Sequence, residues 1–473
     1  MQMIWISVSN ERESERRNTM SGRRYEIDMC NGPLFGKILT FSIPLILSGI
    51  LQLLFNAADM VVAGRFAGSV ALGAVGATSS LINLLINVFV GMSVGTNVLV
   101  AHFYGANRQE ELGQTVHTSI GLSLISGVIL GVGGYILASP LLSLMGTPDD
   151  ILPHAVIYMQ IYFIGVPGML LYNFGSAILR AVGDTKRPLY YLLFAGVINV
   201  ILNVVFIVVT GMGVEGVALA TIISQFVSAG LVIRCLIVEQ GAYRLEIRKI
   251  RLYKDKVIRI LRVGLPAGFQ GAVFSISNVL IQSSVNSFGS IAVAGNTAAS
   301  NLEGFVYNAM NSFHQTAVNF TGQNVGAHRY DRVKKIFWIC MGSVAVTGAA
   351  LSAFVCGFGR QLLSVYITDA PEAIGYGLLR FYSVASLYFL CGMMDVSTGM
   401  LRGLGASVAP MVICLMGACG FRVLWVATVF PRWSTPQGLF LCYPISWTVT
   451  LACQMVAFFA VYRRQCRSAA IQN

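Results

Sequence analysis

The chain has 473 residues, of which 55% are hydrophobic and only 11% charged, and its mean hydropathy is +0.70. A soluble domain carries about a quarter charged residues, so this composition argues for a polytopic membrane protein. The net charge of +12 would suit nucleic acid, but the charges fall between apolar runs, and no nucleic-acid partner is expected.

The first 36 residues form a polar segment without an apolar h-region, so no cleavable signal peptide is expected there. Met20 is a candidate natural start, with residues 1–19 then an upstream extension. Twelve apolar runs follow, each long enough to cross about 30 Å of hydrocarbon. They lie at 37–64, 71–101, 115–139, 154–178, 188–210, 215–238, 257–286, 291–320, 335–358, 374–400, 409–430 and 437–461. The expected fold is an all-α membrane protein of twelve transmembrane helices. Residues 37–238 and 257–461 form two six-helix lobes, joined by a linker at 239–256 and ending in a tail at 462–473. The linker stretch "RLEIRKIRLYKDKVIR", 244–259, is expected to include an interfacial amphipathic helix. The ten cysteines are scattered, with no CxxC pair, so neither a disulfide framework nor a metal site is expected.

Charge placement predicts orientation. Of 32 Lys and Arg, 27 fall before the first span, in the even-numbered connections, or after the last span, Arg180 and Arg402 among them. Arg65, Arg360 and Arg432 lie on the opposite side, and Arg380 and Arg422 lie within spans. The positive-inside rule then places both termini in the cytoplasm, in a cell membrane whose anionic lipid meets the basic side.

A displacement of 222 maps the second half on the first. Pro266 falls on Pro44, Asn278 on Asn56, Gly295 on Gly73 and Asp395 on Asn173. "LRAVGDTKRP", 179–188, falls on "LRGLGASVAP", 401–410. Six spans per repeat give both halves one orientation. The lobes should be related by a pseudo-two-fold axis along the membrane normal, with the substrate path between them.

Three polar features interrupt the apolar runs of the first half. Asp59 lies inside its span, where an ionisable group by default marks function. The plainer reading is an interfacial aspartate solvated from outside. Asn199 and Asn203 share one helix face, as interhelical hydrogen-bond glue or as oxygen ligands for a cation. In the second half Asn301, Asn308, Asn311, Gln315 and Asn319 recur along one face of the eighth span. Glu303, Asn311, Asp395 and Arg422 are candidate residues of a C-lobe cavity, with a buried structural ion pair as the alternative.

The stretches "IPLILSGILQLLFNAADMVVAGR", "GANRQEEL", "AILRAVGDTKRP", "NVILNVVFI" and "GVEGVALAT" resemble the multidrug and toxic compound extrusion transporters. The second-half copies "FTGQNVGAHRYDRVKKI" and "GMLRGLGASVAP" strengthen the likeness, which covers about residues 30 to 463. The resemblance implies a two-lobed antiporter exporting organic, often cationic, compounds against inward Na⁺ or H⁺. It also implies an ion-coupling site. The family's first-span aspartate matches Asp59, its sixth-span threonine matches Thr221, and its Asn-x-x-x-Asp motif reads Asn199-x-x-x-Asn203. Na⁺ held by Asp59, Asn199, Asn203 and Thr221 is thus one expectation and a proton on Asp59 the other, with no further cofactor. The seventh-span glutamate of another branch is missing here.

Expected partners are a small organic substrate and membrane lipid, with the chain acting as a monomer. The nearest alternative is a flippase for lipid-linked saccharides, which would need a basic central cavity; within the spans only Arg380 and Arg422 offer charge. An intramembrane enzyme would need a catalytic motif, and neither HExxH nor GxSxG appears.

Overall fold

A computed structural model describes residues 25–367 and 371–472. Met20 and the proposed upstream extension lie outside the described residues. Among the described residues twelve long helices make up most of the fold. In the first half they are α1 (Leu34–Val62), α2 (Gly68–Gly105), α3 (Gln109–Leu144), α4 (Leu152–Ala181), α5 (Lys186–Asn203) and α6 (Val214–Val238). In the second half they are α7 (Lys254–Asn286), α8 (Ser290–Gly326), α9 (Tyr330–Gly357), α10 (Pro371–Gly403), α11 (Val408–Thr428) and α12 (Cys442–Gln472).

All twelve expected spans fall on these helices, yet only eleven segments among the described residues are apolar enough to cross a membrane by composition. The exception is α8. It is 37 residues long but carries Asn296, Asn301, Glu303, Asn308, Asn311, Gln315 and Asn319. A helix so polar belongs in the interior, and Asn296, Glu303 and Asn319 are buried.

The repeat is visible in the backbone itself. Left-handed residues recur as Gly68 and Gly289, Asn107 and His328, Gly183 and Gly405, displaced by 221 or 222. Pro44 and Pro266 sit inside α1 and α7, the first helix of each half. The first halves of these two helices cross over. Leu34, Ile38 and Phe41 of α1 join the C-lobe core, with Phe41 edge-on to Phe320 at 5.6 Å. Ile260 of α7 joins the N-lobe core. The lobe border therefore runs through α1 and α7 rather than ahead of them. Gly91, Gly95, Gly264 and Gly268 allow the α2–α7 crossing, since a Cβ on any of them would strike the facing backbone.

The linker differs from expectation. Only a single 3₁₀ turn, Ile247–Lys249, precedes α7, and no amphipathic helix forms. Its apolar residues have a better place than lipid, because Tyr243 and Leu245 are buried in the N-lobe core. The backbone N–H of Glu246 and Tyr253 donate to His117 Nε2 (3.1 Å) and Thr118 Oγ1 (3.3 Å). These bonds draw the linker onto α3 and remove the need for helical pairing.

At the same end, the segment 25–33 lies across both lobes. The Tyr104 and Tyr243 hydroxyls donate to Glu26 (2.7 and 2.6 Å), and Ile27 N–H donates to Gly183 O (3.2 Å). On the C-lobe side Asn324 donates to Met29 O (3.1 Å), Arg329 to Cys30 O (3.0 Å) and Arg332 to Gly32 O (3.1 Å). Within this strap Met29 is fully buried.

Candidate functional site

The N-lobe encloses a cavity of about 340 Å³ between α1, α4, α5 and α6, and Asp59 lines it. Asp59 comes just before α1 gives way to a π-helical turn at Ala63–Ala67. Asn203 ends α5 where a second π turn, Val204–Val209, begins. Such i→i+5 slips reorient side chains locally and recur at functional sites. Asn203 Nδ2 donates to Asp59 Oδ1 at 2.6 Å and to Asn199 Oδ1 at 3.2 Å. Thr221 Oγ1 approaches Asp59 Oδ2 at 3.5 Å while donating to Val217 O at 2.9 Å. The four residues singled out in the sequence thus converge from three helices on one carboxylate.

Their chemistry suits a proton or a hard monovalent cation. Asn203 is fully buried, and its Oδ1 has no hydrogen-bond partner. An orphan carbonyl beside a carboxylate, an amide oxygen and a hydroxyl makes an all-oxygen donor set. Among the described residues no group of three or more His, Cys, Asp or Glu gathers as a metal site, in keeping with a single carboxylate here.

The C-lobe residues divide. Asn311, Asp395 and Arg422 line a cavity of about 480 Å³ together with Tyr307, Tyr388, Tyr443 and Trp447. Glu303 lies elsewhere and grips Arg380 at 2.7 Å, both buried, with Arg380 Nη1 also donating to Asn296 at 2.7 Å. The placement of Glu303 in the cavity is corrected: it has the structural ion pair. Among the described residues Arg422 forms no salt bridge with an acid. Its guanidinium stacks over Tyr443 at 4.3 Å and donates to Ser446 at 3.2 Å.

Between these two chambers lies a third cavity of about 380 Å³, sharing walls with both. Asn308, Asn311, Gln315 and Asn319 of α8 face it, whereas Asn301 of the same stripe is exposed and lies outside. Two further residues were assigned to loops by charge counting and instead end α4 and α10 inside this cavity: Arg180 and Arg402. The signal was present, since they are repeat mates in "LRAVG" and "LRGLG". Gln52, Asn87, Asn173 and His314 also line it; Gln52 lies in a family-like stretch and Asn173 is the repeat mate of Asp395, whereas Asn87 and His314 carried no motif.

A profile of the MatE family matches the chain twice, over residues 44–205 and 266–427, the second match displaced by 222 at both limits. The chain belongs to the MatE family. It is 30% identical over 416 residues to the probable multidrug resistance protein YpnP of Bacillus subtilis (strain 168), spanning 87% of this chain and 92% of that one. Identity to the probable multidrug resistance protein YoeA of the same organism is 29% over 422 residues, 87% and 90% of the two chains. The fold superposes on a solved multidrug resistance MATE family transporter in an outward-facing conformation with a TM-score of 0.85. That match covers 94% of this chain and 98% of the other at 22% identity, a likeness of fold. As a MatE protein the chain is a multi-pass membrane transporter of small molecules. The flippase alternative is not favoured.

Proposed function

We propose that the chain is a secondary antiporter that exports organic compounds in exchange for Na⁺ or H⁺, with Asp59 as the coupling acid. One observation carries this reading: Asp59 Oδ1 and Oδ2 meet Asn203 and Thr221 at 2.6 and 3.5 Å in a chamber that shares its wall with the cavity between the lobes. An ion bound in the first is therefore positioned to bias a lobe rearrangement felt in the second. Two ligands drive exchange only if each prefers a different state. Loading Asp59 with a proton or Na⁺ changes its charge, its hydrogen bonds to Asn203 and the packing of α1 on α5.

The basic end is the cytoplasmic one in this reading, with the chain in the cell membrane and acting as a monomer, since one chain supplies both lobes and all three chambers. The strap at 25–33 then seals the cytoplasmic side, and substrate leaves by the outer side. Gradient-driven efflux from proteoliposomes, comparing Na⁺ with H⁺ gradients, tests the proposal. Uphill export under either gradient supports it, and export under neither refutes it.

A further inference from the structure

The lining of the central cavity holds two arginines and no aspartate or glutamate. Arg180 and Arg402 end α4 and α10, displaced by 222, so the pseudo-two-fold relation brings one cationic fork from each lobe to the same chamber. The Arg180 side chain has no hydrogen bond or ion pair among the described residues. Arg402 is 7% exposed. Its hydrogen-bond partners are neutral, Gln270 Oε1 at 2.9 Å and His314 Nε2 at 3.4 Å, while its Nε has none. His314 Nδ1 donates to Asp395 O at 2.6 Å, which leaves Nε2 as the acceptor for Arg402. Thr185 Oγ1 and Asn319 Oδ1, from residues 2% and 1% exposed in the same lining, also lack partners.

The nearby acids are engaged elsewhere or set apart. Asp184 pairs with Arg187, and Glu303 with Arg380. Among the described residues neither Asp59 nor Asp395 forms a salt bridge; Asp59 lines the N-lobe chamber, and Asp395 shares the C-lobe chamber with Arg402 and Arg422, close enough to Arg402 to interact with it electrostatically but not hydrogen-bonded to it. The connected interior therefore sets Arg180, Arg402 and Arg422 against two carboxylates, and ion loading at Asp59 would leave one.

A desolvated guanidinium with no carboxylate in hydrogen-bond contact is costly, and intramembrane charges of this kind mark transport paths. Its planar fork fits a carboxylate or phosphate bidentately. A cationic ligand would instead meet two like charges. We propose that the central cavity binds a soluble organic anion, a carboxylate or phosphate ester on an aromatic body, with Arg180 and Arg402 holding the acidic group. The aromatic part has Tyr172 beside it and Phe274 and Tyr307 in the adjoining C-lobe chamber. This inference rests on the central cavity being the transport route, and it replaces the cationic substrate that the family resemblance implied.

The test uses the full chain in phosphatidylcholine nanodiscs, with flavin mononucleotide, riboflavin and rhodamine 6G as fluorescent probes. Flavin mononucleotide should bind at least about tenfold more tightly than riboflavin, which lacks only the phosphate. Arg180→Gln and Arg402→Gln should each weaken it by about tenfold or more and leave rhodamine 6G no weaker. Arg180→Gln removes a side chain without partners, so folding, checked by thermal melting, should survive. Failure of flavin mononucleotide to bind, equal binding of riboflavin, preference for rhodamine 6G, or indifference to both Arg→Gln changes each overturns the proposal. Loss of flavin mononucleotide binding on replacing the lipid with phosphatidylglycerol would assign the arginines to a lipid headgroup and also overturn it. Because binding needs no gradient, anion binding without gradient-driven export refutes the antiport reading alone. Export of rhodamine 6G without anion binding refutes this inference alone.

Discussion

His102 and Gln323 occupy the same place in the two halves, and each bonds to the carbonyl that follows the other half's cavity arginine. His102 Nε2 donates to Gly403 O at 2.7 Å, and Gln323 Nε2 donates to Ala181 O at 2.7 Å. Beside them Gly105 and Gly326 are reciprocal too: a Cβ on the first would strike Gln323 O, and on the second His102 O. The closure at the basic end is therefore isologous, built twice by one repeat. It sits directly beneath Arg180 and Arg402, so the floor of the cavity is also the lock between the lobes.

Each of these bonds joins neutral partners across the lobe boundary and should contribute about 1 kcal/mol to the closed state. His102→Ala with Gln323→Ala should then shift the lobe equilibrium by about 2 kcal/mol, roughly thirtyfold in population. Spin labels at the exposed positions Glu110 and Asp331, one on each lobe, would report the change as a longer or broader distance distribution. An unaltered distribution would show that the bonds do not hold the closure.

The strap at 25–33 makes a second, independent seal, and it carries its own reporter. Cys30 is partly buried, with its Sγ 4.0 Å from Gln323 Oε1. Glu26→Gln and Arg332→Ala weaken the strap at its two ends, one per lobe. Maleimide labelling of Cys30 from the side of the basic end, with the other cysteines replaced, should rise several-fold in the double variant. It should rise in the native chain too under conditions that open that side. Labelling that never responds would mean the strap stays in place through the cycle.

Orientation is testable in the same background. Cysteines introduced at Asp149 and Pro436 should label from outside, and one at Tyr253 only from inside. The reverse pattern would invert the topology and with it the assignment of the strap to the cytoplasm.

Helix number, the repeat and the polar residues Asp59, Asn199 and Asn203 were legible because each leaves a local trace, whereas Thr221 was joined to them only by the family resemblance. Apolar runs are set by the 30 Å of hydrocarbon, and a carboxylate or a pair of amides stands out within them. The crossed first halves of α1 and α7 were not legible, because apolar residues such as Phe41 and Ile260 read alike whichever core receives them. The linker misled for a related reason: the alternation of charge and apolar side chains in "RLEIRKIRLY" fits an amphipathic helix equally well as an extended chain with Leu245 plugged into a core. Arg180 and Arg402 were hidden by their position near span ends. Charge counting assigns such residues to loops; the repeat pairs them, but their turn inward shows in the packed lobes.

Asn203→Asp tests the amide beside Asp59. The change places a second carboxylate where an amide now donates at 2.6 Å, and two close carboxylates cannot both stay charged. At least one will take up a proton or cation more readily, so the pH or Na⁺ dependence of transport should shift while the protein still folds. An unchanged ion and pH profile would count against Asn203 as part of the coupling site.

Asp59→Asn removes the ionisable group and keeps the volume. The new amide accepts from Asn203 Nδ2 through its carbonyl, so the contact at 2.6 Å has a replacement, as does the approach of Thr221 if the amide oxygen turns that way. Little of the fold depends on the charge itself. A partly buried carboxylate whose neighbours are amides and a hydroxyl has no cationic partner, and neutralising it relieves a desolvation cost. The variant should therefore insert, purify and melt at or above the native temperature. It should also keep binding to the central cavity, whose lining does not include residue 59. Coupling is different, because an amide neither releases a proton nor adds net charge to hold Na⁺. Uphill export in proteoliposomes should fall to background under both Na⁺ and H⁺ gradients, while downhill leakage of substrate persists. Uphill export at native rates, in reconstituted protein of verified orientation, would show that the ion couples elsewhere and leave Asp59 as a structural acceptor for Asn203.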